Sequence, residues 1–243
     1  MRIGLGPLPL AGASGSQLAA MARAAVAASF DSVWVAESRG EGVGGGLAAA
    51  AMLAQVVPIR VGAALDLGAY HPLYMAEDIA IADITSQGRI EVLLRGGSVE
   101  QVQLLVAALS GAHLQFRGPT LRVPAHLEAN QPAPERLALN PAPAQPAVPI
   151  WVEGALSGHS QDLGVGTAAQ WAGGVAAPAP TGRWPGLLLC PADSQADELL
   201  RSAGDEPAYF LVSAGSPEDV VSIGRRLVGP LRMPEFPDWI GAQ

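Results

Sequence analysis

The chain has 243 residues, of which 49% are hydrophobic and 15% are charged, so it has enough apolar side chains for one large α/β domain or two small ones and is not a disordered chain. All 14 basic residues are arginine, which excludes Schiff-base chemistry on a lysine and a lysine-dependent phosphate-binding loop. The net charge of −8 and the lack of a basic stripe make nucleic acid a poor candidate for a partner.

The cysteine count and the hydropathy pattern exclude further classes. Cys190 is the single cysteine, so intramolecular disulfides and cysteine-rich metal sites are ruled out and we expect no bound metal. Because Cys190 lies in an apolar run, we predict that it is a core residue. The sequence contains no run of about 18 uninterrupted apolar residues, so we predict no membrane-spanning segment. Residues 1–6 have the pattern of a strand rather than of a signal peptide, and we expect a cytoplasmic protein.

In the first half of the chain, short apolar runs alternate with segments whose apolar residues recur at helical spacing. Four predicted strands and four predicted helices alternate there, at residues 3–8, 16–29, 32–36, 46–57, 59–65, 72–85, 90–94 and 98–109. Pro72 marks the start of the third helix, and Gly88 supplies the turn into the fourth strand. This alternation is typical of a parallel sheet covered by helices.

The alternation lapses over residues 113–148, where seven prolines prevent a long regular helix. This segment is either a domain linker or a long excursion over one face of a barrel, and we prefer the excursion because the alternation then resumes. Four more strands are predicted at residues 149–153, 168–172, 186–190 and 208–213, with helices at 194–202 and from Ser216 onward. Residues 175–184 are too few and too proline-rich for a full helix, so we expect one or two outer helices to be trimmed.

Eight strands in this rhythm predict a single (β/α)8 TIM barrel over residues 1–243. A doubly wound sheet is the alternative, but the first strand lacks the glycine-rich turn that this fold uses to bind dinucleotides. In a TIM barrel, functional residues gather where the strands end. The residues just after the predicted strands that we select as candidates are Glu37, His71, Arg95, Gly96, Gly97, Gly154 and Ser157.

Several short motifs follow one another along the chain in a specific order and spacing. The second predicted strand is Phe30-Asp31-Ser32-Val33-Trp34-Val35-Ala36-Glu37. The motifs that follow it are Gly62-Ala63-Ala64, Ala69-Tyr70-His71-Pro72, Ala76-Glu77-Asp78, Ser86-Gln87-Gly88-Arg89, Pro149-Ile150-Trp151-Val152 and Ser216-Pro217-Glu218-Asp219-Val220. In this order and spacing, the motifs resemble the bacterial luciferase-like superfamily. The similarity touches nearly the whole length and is dense from residue 16 to residue 97.

The superfamily has the TIM-barrel fold, is often dimeric, and contains flavin-dependent monooxygenases and deazaflavin-dependent oxidoreductases. The resemblance therefore implies FMN or a deazaflavin coenzyme across the C-terminal mouth of the barrel, and a small organic substrate. It also implies that Ala63, Ala64 and Leu65 form a bulge under the flavin ring, often with a non-proline cis peptide, which costs about 3 kcal/mol. An ordinary buried strand with small residues for packing is the alternative.

Two candidate residues are tentatively assigned catalytic roles. Glu37 is either a carboxylate at the barrel mouth or a partner of Arg39 or Arg60 inside the barrel. The imidazole of His71 either acts on a flavin intermediate or substrate, or only caps the helix that Pro72 begins. For His71 we favour the structural role.

The remaining candidates are assigned to the cofactor. Arg95 is the best candidate for binding a flavin phosphate, since a guanidinium binds phosphate through two hydrogen bonds; a solvent-facing loop arginine is the alternative. Gly96 and Gly97 either offer backbone N–H groups to the same anion or merely form a turn. Gly154 and Ser157 follow the fifth strand, at a helix start where anions are favoured, although such a serine is more often a simple cap.

The chain departs from the family pattern at several of these places, so it is a shortened and divergent relative. Ser38-Arg39 follow Glu37 where members commonly have a histidine, and Leu93 and Arg95 stand where members usually carry Gly-x-Gly. We favour a flavin- or deazaflavin-dependent oxidoreductase. The alternatives are a catalytically inactive relative that binds a flavin or another ligand, and a subunit that pairs with an active homologue. A homodimer is also expected from the resemblance.

Overall fold

A computed structural model of the chain describes residues 1–37, 45–124, 137–170, 181, 184–190 and 208–228. In this part, eight parallel strands form one sheet: β1 Arg2–Pro9, β2 Ser32–Ala36, β3 Arg60–Asp66, β4 Ile90–Arg95, β7 Ile150–Glu153, β8 Gly166–Gln170, β9 Gly186–Cys190 and β10 Ala208–Val212. The sheet closes into a barrel in the order β1-β10-β9-β8-β7-β4-β3-β2. The predicted TIM barrel is therefore confirmed, and the doubly wound sheet is excluded because such a sheet is open.

Helices cover the barrel on its outside. The described helices are α1 Gly15–Ala27, α2 Gly45–Ala54, α3 Pro72–Thr85, α4 Val99–Leu109, α5 Ser160–Leu163 and α6 Pro217–Ile223, with short 3₁₀ turns at Leu67–Ala69 and Gly154–His159 and a π turn at Gly224–Val228. Ser14 and Ser98 each begin a helix with a reciprocal capping box, which satisfies two otherwise unpaired backbone N–H groups per helix. Helix α5 has only four residues. The segment at residues 175–184, from which a trimmed helix was predicted, falls mostly outside the described residues.

The predicted bounds of the described elements agree with the observed ones to within three residues. The sixth predicted strand, at residues 168–172, was placed two residues too late, because β8 begins at Gly166. A β-carbon at Gly166 would lie 2.4 Å from Cδ1 of Trp151, so glycine is needed there for packing rather than for a turn. The predicted helix at residues 194–202 lies outside the described residues. Among the described helices, none is long and apolar enough to span a membrane.

Aromatic side chains fill the interior of the barrel. Trp34, Trp151 and Tyr209 contact one another with their rings at steep angles, and the centroid distances are 5.9, 6.2 and 5.6 Å. Leu93 is fully buried in the same cluster. The interior is thus a packed core rather than a pore, as is usual for this fold, and ligands must bind at an end of the barrel.

A buried charge cluster closes the end of the barrel at which the strands begin. Glu91 has no exposed surface; its carboxylate accepts a hydrogen bond from Arg2 at 3.1 Å, another from Arg60, and a third from the Tyr209 hydroxyl at 2.7 Å. Burial and the Glu91 charge raise the pKa of Tyr209 well above its ordinary value. Arg60 is therefore engaged by Glu91 rather than by Glu37, and the predicted pairing of Glu37 with Arg60 is wrong. Arg39, the other predicted partner, lies outside the described residues.

The proline-rich excursion contains a small antiparallel hairpin, β5 Phe116–Arg117 and β6 Arg122–Val123. The C-terminal end of the excursion is held at Gln145 by the fully buried Asp83. The Asp83 carboxylate accepts hydrogen bonds from the backbone N–H of Gln145 at 2.8 Å and from the Gln145 side-chain amide at 2.7 Å. The described ends of the excursion thus pack on the barrel. The assignment of all 243 residues to one domain remains a prediction.

The expected bulge at Ala63, Ala64 and Leu65 is absent from the described β3. Its register is continuous with both neighbouring strands, and the cis peptide bonds of the described residues all precede prolines elsewhere in the chain. The register shift lies in β1 instead, between Leu5 and Leu8. The small residues of β3 serve packing, because Ala64 lies in the aromatic cluster of the interior while Ala63 and Leu65 face the helices.

Candidate functional site

A pit of about 320 Å³ lies at the C-terminal mouth of the barrel. The residues that line this mouth pit lie near or just after the ends of six different strands and are Pro7, Pro9, Ala36, Arg95, Gln170, Leu189, Cys190 and Ser213. Proline, alanine and leucine make its walls largely apolar, and the polar groups are few. This composition and position are those of a ligand site in a TIM barrel.

Arg95 supplies the positive charge of the mouth pit. Its Nε donates to the Glu153 carboxylate at 3.2 Å, and the side-chain amide of Gln170 donates to the other oxygen of that carboxylate at 2.8 Å. Within the described ranges, the two terminal nitrogens of Arg95 have no hydrogen-bond partner. Glu153 therefore fixes the guanidinium through one edge and leaves the other edge available to a ligand.

Glu153 and Gln170 were not selected from the sequence. Strand alternation contains the signal, because successive side chains of a strand point to opposite faces. Trp151 points into the barrel, and Glu153 lies two residues further along the same strand. Ala168 and Gln170 are related in the same way on β8. The bounds of β8 were predicted two residues too late, which hid the second relationship.

Glu37 lies away from the mouth pit, on the side of β2 that faces the helices. It continues the outward direction of Val33 and Val35, and its Oε1 accepts a 2.7 Å hydrogen bond from the backbone N–H of Gly46 on α2. In the described part of the chain, no hydrogen bond or ion pair joins Glu37 to Arg95. The predicted catalytic carboxylate and the predicted anion-binding group are therefore not brought into contact.

The Tyr70 hydroxyl lies near Glu37, and the two groups affect each other's pKa. It is buried, with 7% of the residue exposed, and has no hydrogen-bond partner of normal geometry among the described residues. Burial, followed by the charges of Glu37 and Asp78, raises the pKa of Tyr70 to about 12. Burial is also the largest cause of the raised pKa of Glu37; the Gly46 hydrogen bond opposes it, and the charges of Asp66 and Asp78 add to it. Both groups thus tend to keep their protons.

His71 performs the structural role that we favoured. Its Nδ1 accepts a hydrogen bond from the backbone N–H of Leu73 at 3.3 Å, at the start of α3. The ring is exposed and lies 5.5 Å from the ring of Tyr74, between centroids. The cap accounts for a histidine at this position, and a catalytic role for it remains a prediction.

Gly96 and Gly97 form a turn that requires glycine for steric reasons. Their φ angles are +63° and +77°, and a β-carbon at Gly96 would lie 2.9 Å from Oδ1 of Asp66. That aspartate accepts a 3.0 Å hydrogen bond from the backbone N–H of Gly68. An anion at this turn would lie beside a carboxylate, so the electrostatics favour Arg95 over the glycines as the anion-binding group. Contact of Gly96 and Gly97 with a cofactor remains a prediction.

Gly154 and Ser157 lie in the short 3₁₀ turn that follows β7. Gly154 has a φ of +73° and open space where a β-carbon would be. The Ser157 hydroxyl donates to the backbone carbonyl of Val152 at 3.3 Å, so it tethers the turn to its strand. Their predicted contact with a cofactor remains untested.

Cys190 is 3% exposed, as predicted for a core residue, although it also borders the mouth pit. Burial raises the pKa of its thiol to about 12, so the reactive thiolate is disfavoured. Within the described ranges, no group of three or more histidine, cysteine, aspartate or glutamate side chains is arranged to hold a metal ion.

A second cavity of about 410 Å³, here called the rim groove, lies beside the mouth pit between the loop after β1 and the loop after β10. Its lining is mainly small and apolar and consists of Leu8, Pro9, Ala11, Gly12, Ala13, Gln17, Leu18, Ala20, Met21, Ala214, Gly215, Ser216 and Pro217. None of these side chains is charged. Pro9 lines both cavities, so the rim groove and the mouth pit are neighbours.

Comparison with known proteins identifies similarity in family and in fold. Residues 2–98 match the family model of luciferase-like monooxygenases. No curated protein matches the chain.

Solved structures with the same barrel cover nearly the whole chain. The monooxygenase RslO1 from Streptomyces bottropensis is 14% identical, with a TM-score of 0.63 over 95% of this chain and 98% of that one. The coenzyme F420 dependent tetrahydromethanopterin reductase from Methanopyrus kandleri is 10% identical, with a TM-score of 0.66 over 96% and 99%.

A third solved structure is similar over a smaller part. The oxygenating constituent of 3,6-diketocamphane monooxygenase from Pseudomonas putida, in complex with FMN, is 18% identical, with a TM-score of 0.50 over 71% of this chain and 58% of that one. At these identities the structures show a shared fold. The predicted resemblance is thereby confirmed: the chain has the sequence pattern of the luciferase-like monooxygenase family over residues 2–98 and a barrel of the same fold.

Proposed function

We propose that this protein is a flavin- or deazaflavin-dependent oxidoreductase of the luciferase-like type that acts on a small organic substrate. The observation that carries the proposal is the mouth pit, where Arg95 presents an unpaired edge of its guanidinium above apolar walls. The family match over residues 2–98 supports it, as do one relative named as dependent on coenzyme F420 and another in complex with FMN.

The polar groups of the mouth pit suit a phosphorylated, flat-ringed cofactor. Arg95 has two terminal nitrogens for a phosphate, and Gln170 and Ser213 offer hydrogen-bonding groups beside it. The apolar walls suit an uncharged ring system, as in most cofactor sites. Glu153 is the one opposing feature, because its charge partly neutralises Arg95.

The chain's own residues bind, orient and exclude water, while a bound flavin-type ring supplies hydride transfer or oxygen activation. Arg95 holds the phosphate, and Glu153 keeps the guanidinium in place. Pro9 and Leu189 shield the pit from water, which strengthens polar contacts inside it. Glu37, whose pKa is raised above its ordinary value, lies beside Tyr70 at the edge of the barrel, and it remains our candidate for a catalytic carboxylate.

The direct test is a titration of the purified protein with FMN and, separately, with a deazaflavin coenzyme, followed by absorbance and fluorescence. We expect one of them to bind and Arg95→Ala to weaken that binding by about 1–3 kcal/mol. Glu153→Gln removes the competing carboxylate and should strengthen binding. Arg117→Ala, on the exposed hairpin, is the matched control and should change nothing.

Failure of both cofactors to bind would overturn the proposal. An unchanged dissociation constant in Arg95→Ala would remove that residue from the site. If a cofactor binds, hydride transfer or oxygen consumption with candidate substrates separates an enzyme from a protein that only binds the cofactor.

We also propose that the protein self-associates through α2 and α3. Five large apolar side chains are exposed in the described part of the chain, and all lie on these two helices or in the turn that follows α2: Met52, Val56, Tyr74, Ile81 and Ile84, exposed by 70, 39, 67, 51 and 44%. Exposed apolar surface concentrated in this way is typical of a subunit interface. A symmetric dimer would cover the same face on both copies.

Light scattering of the eluted protein tests this part of the proposal. We expect a dimer for the unaltered chain and a monomer for Ile81→Arg, which places a charge in the face. Ala27→Arg adds the same charge at an exposed position on α1 and should remain dimeric. A monomeric unaltered chain would refute self-association at the concentration measured.

A further inference from the structure

We propose that the rim groove binds the substrate, and that this substrate is a neutral and largely apolar organic molecule. The inference rests on the proposed oxidoreductase function and adds a substrate class and a second subsite to it. The groove lies at the C-terminal end of β1 and β10, the same end of the barrel as the mouth pit.

The lining of the groove determines the chemical class. Leu8, Leu18 and Met21 are buried and form its apolar base. No lining side chain carries a charge, so a charged ligand group would lose water there without gaining a partner. The volume of about 410 Å³ falls within the range of about 300–1,000 Å³ that small-molecule sites occupy.

Gln17 adds one oriented polar contact. Its side-chain oxygen accepts hydrogen bonds from the backbone N–H of Ser14 at 2.8 Å and from the Ser14 hydroxyl at 3.0 Å. These bonds fix the amide, so its nitrogen is the group left to donate, and that nitrogen has no partner in the described part of the chain. A neutral donor of this kind suits a hydroxyl or carbonyl oxygen, whereas the buried carboxylates of this chain are bound by several donors each, as at Glu91 and Asp83.

Continuity with the mouth pit indicates a substrate rather than an unrelated ligand. Pro9 lines both cavities, and Ser213 of the pit is followed directly by Ala214 of the groove. A molecule in the groove therefore extends to the edge of the pit, where the cofactor is proposed. Two molecules that react must lie next to each other in this way.

The test uses the neutral fluorescent probe N-phenyl-1-naphthylamine with the purified full chain. We expect a saturable rise in fluorescence. Ala214→Phe and Ala20→Phe fill the groove from two different elements and should each weaken probe binding at least tenfold. Ala27→Phe, at an exposed position of α1 outside the groove, should bind the probe like the unaltered chain. Thermal melts show which variants are folded, and two filling positions keep the test decisive if one variant fails to fold.

Competition identifies the class. We expect 1-octanol to displace the probe at a concentration at least tenfold below that needed for octanoate, which has the same chain length and a negative charge. Equal displacement, or preference for octanoate, would overturn the neutral class. Non-saturable fluorescence, or folded filling variants that bind the probe normally, would overturn the site.

The cofactor is titrated separately, so that the two proposals fail in different ways. Probe binding without cofactor binding would refute the oxidoreductase function and leave a neutral-ligand site. Cofactor binding without probe binding would refute the groove and leave the mouth pit. In Ala214→Phe we expect loss of probe binding with unchanged cofactor binding.

Discussion

A β-carbon at Gly62 would lie 2.0 Å from Cδ2 of Trp34, which faces it from the neighbouring strand inside the barrel. Trp34 has no room to move away, because Trp151 and Tyr209 pack against it. We therefore expect Gly62→Ala to lower the free energy of unfolding by about 1–3 kcal/mol through overpacking. Urea-induced unfolding measures this loss.

Gly15→Ala is the matched control. It lies at the first position of α1, with no atom within 4 Å of a β-carbon placed there. Alanine is preferred over glycine in helices by up to about 1 kcal/mol, so this variant should be equally or slightly more stable. If Gly62→Ala behaved like this control, the packing of Trp34 in the barrel would be refuted.

Asp83 should control how firmly the proline-rich excursion is held. Asp83→Asn leaves one oxygen to accept and points an amide N–H₂ at one of the two Gln145 donors. Leaving a buried donor unpaired costs about 1–3 kcal/mol, and we expect faster protease cleavage within residues 113–148. Asp162→Asn, at an exposed position on α5, should be cleaved at the original rate. Equal cleavage of both variants would contradict the anchoring role.

Glu37 should make stability depend on pH in a defined direction. Its pKa is raised in the folded chain above the ordinary value of 4.5. A folded carboxyl with a raised pKa contributes stability that is present below about pH 4.5 and lost as the pH rises through the folded pKa. Glu37→Gln, which can still accept the Gly46 hydrogen bond, should therefore gain stability relative to the unaltered chain between acidic and neutral pH. Unfolding curves at a series of pH values test this, and a difference independent of pH would count against it.

Tyr70 and Tyr209 should respond oppositely to loss of the hydroxyl. The Tyr70 hydroxyl is buried beside Glu37 without a hydrogen bond of normal geometry to a described residue, so Tyr70→Phe should leave stability unchanged or raise it by up to about 1 kcal/mol. The Tyr209 hydroxyl contacts Glu91, Trp34 and Ser32, so Tyr209→Phe should cost about 1–3 kcal/mol. Calorimetric melts compare the two. A clear loss in Tyr70→Phe would show that its hydroxyl is satisfied, for example by water.

The fold could be predicted from the sequence because its signals are local. Pro72 at the first turn and a left-handed glycine at Gly88 mark the ends of α3 and its turn, and buried strands appear as short apolar runs. The bulge prediction failed because small residues in a strand have two explanations, close approach of a ligand and space for a large neighbour. Trp34 is that neighbour, and it comes from another strand.

The candidate site was less predictable because it depends on the direction of the side chains at the very end of each strand. Arg95 could be selected from the sequence because a guanidinium at the end of a strand is a recognisable phosphate-binding group. Glu37 ends a strand too, but the alternation of side chains turns it toward the helices. Glu153 and Gln170 matter only through their contact with each other and with Arg95, and contacts between distant residues cannot be derived from one sequence.

The aromatic cluster inside the barrel also gives the molecule an optical signature. Trp34 and Trp151 lie 5.9 Å apart, and Trp184 lies 6.0 Å from Trp151, between ring centroids. Indoles this close couple electronically in a fixed chiral arrangement and should give strong circular dichroism in the near ultraviolet. Because near-ultraviolet signals vanish when side-chain packing is lost, this band reports closure of the barrel without any label. The fluorescence emission of these tryptophans also overlaps flavin absorption, so a flavin ring in the mouth pit would quench that fluorescence by energy transfer.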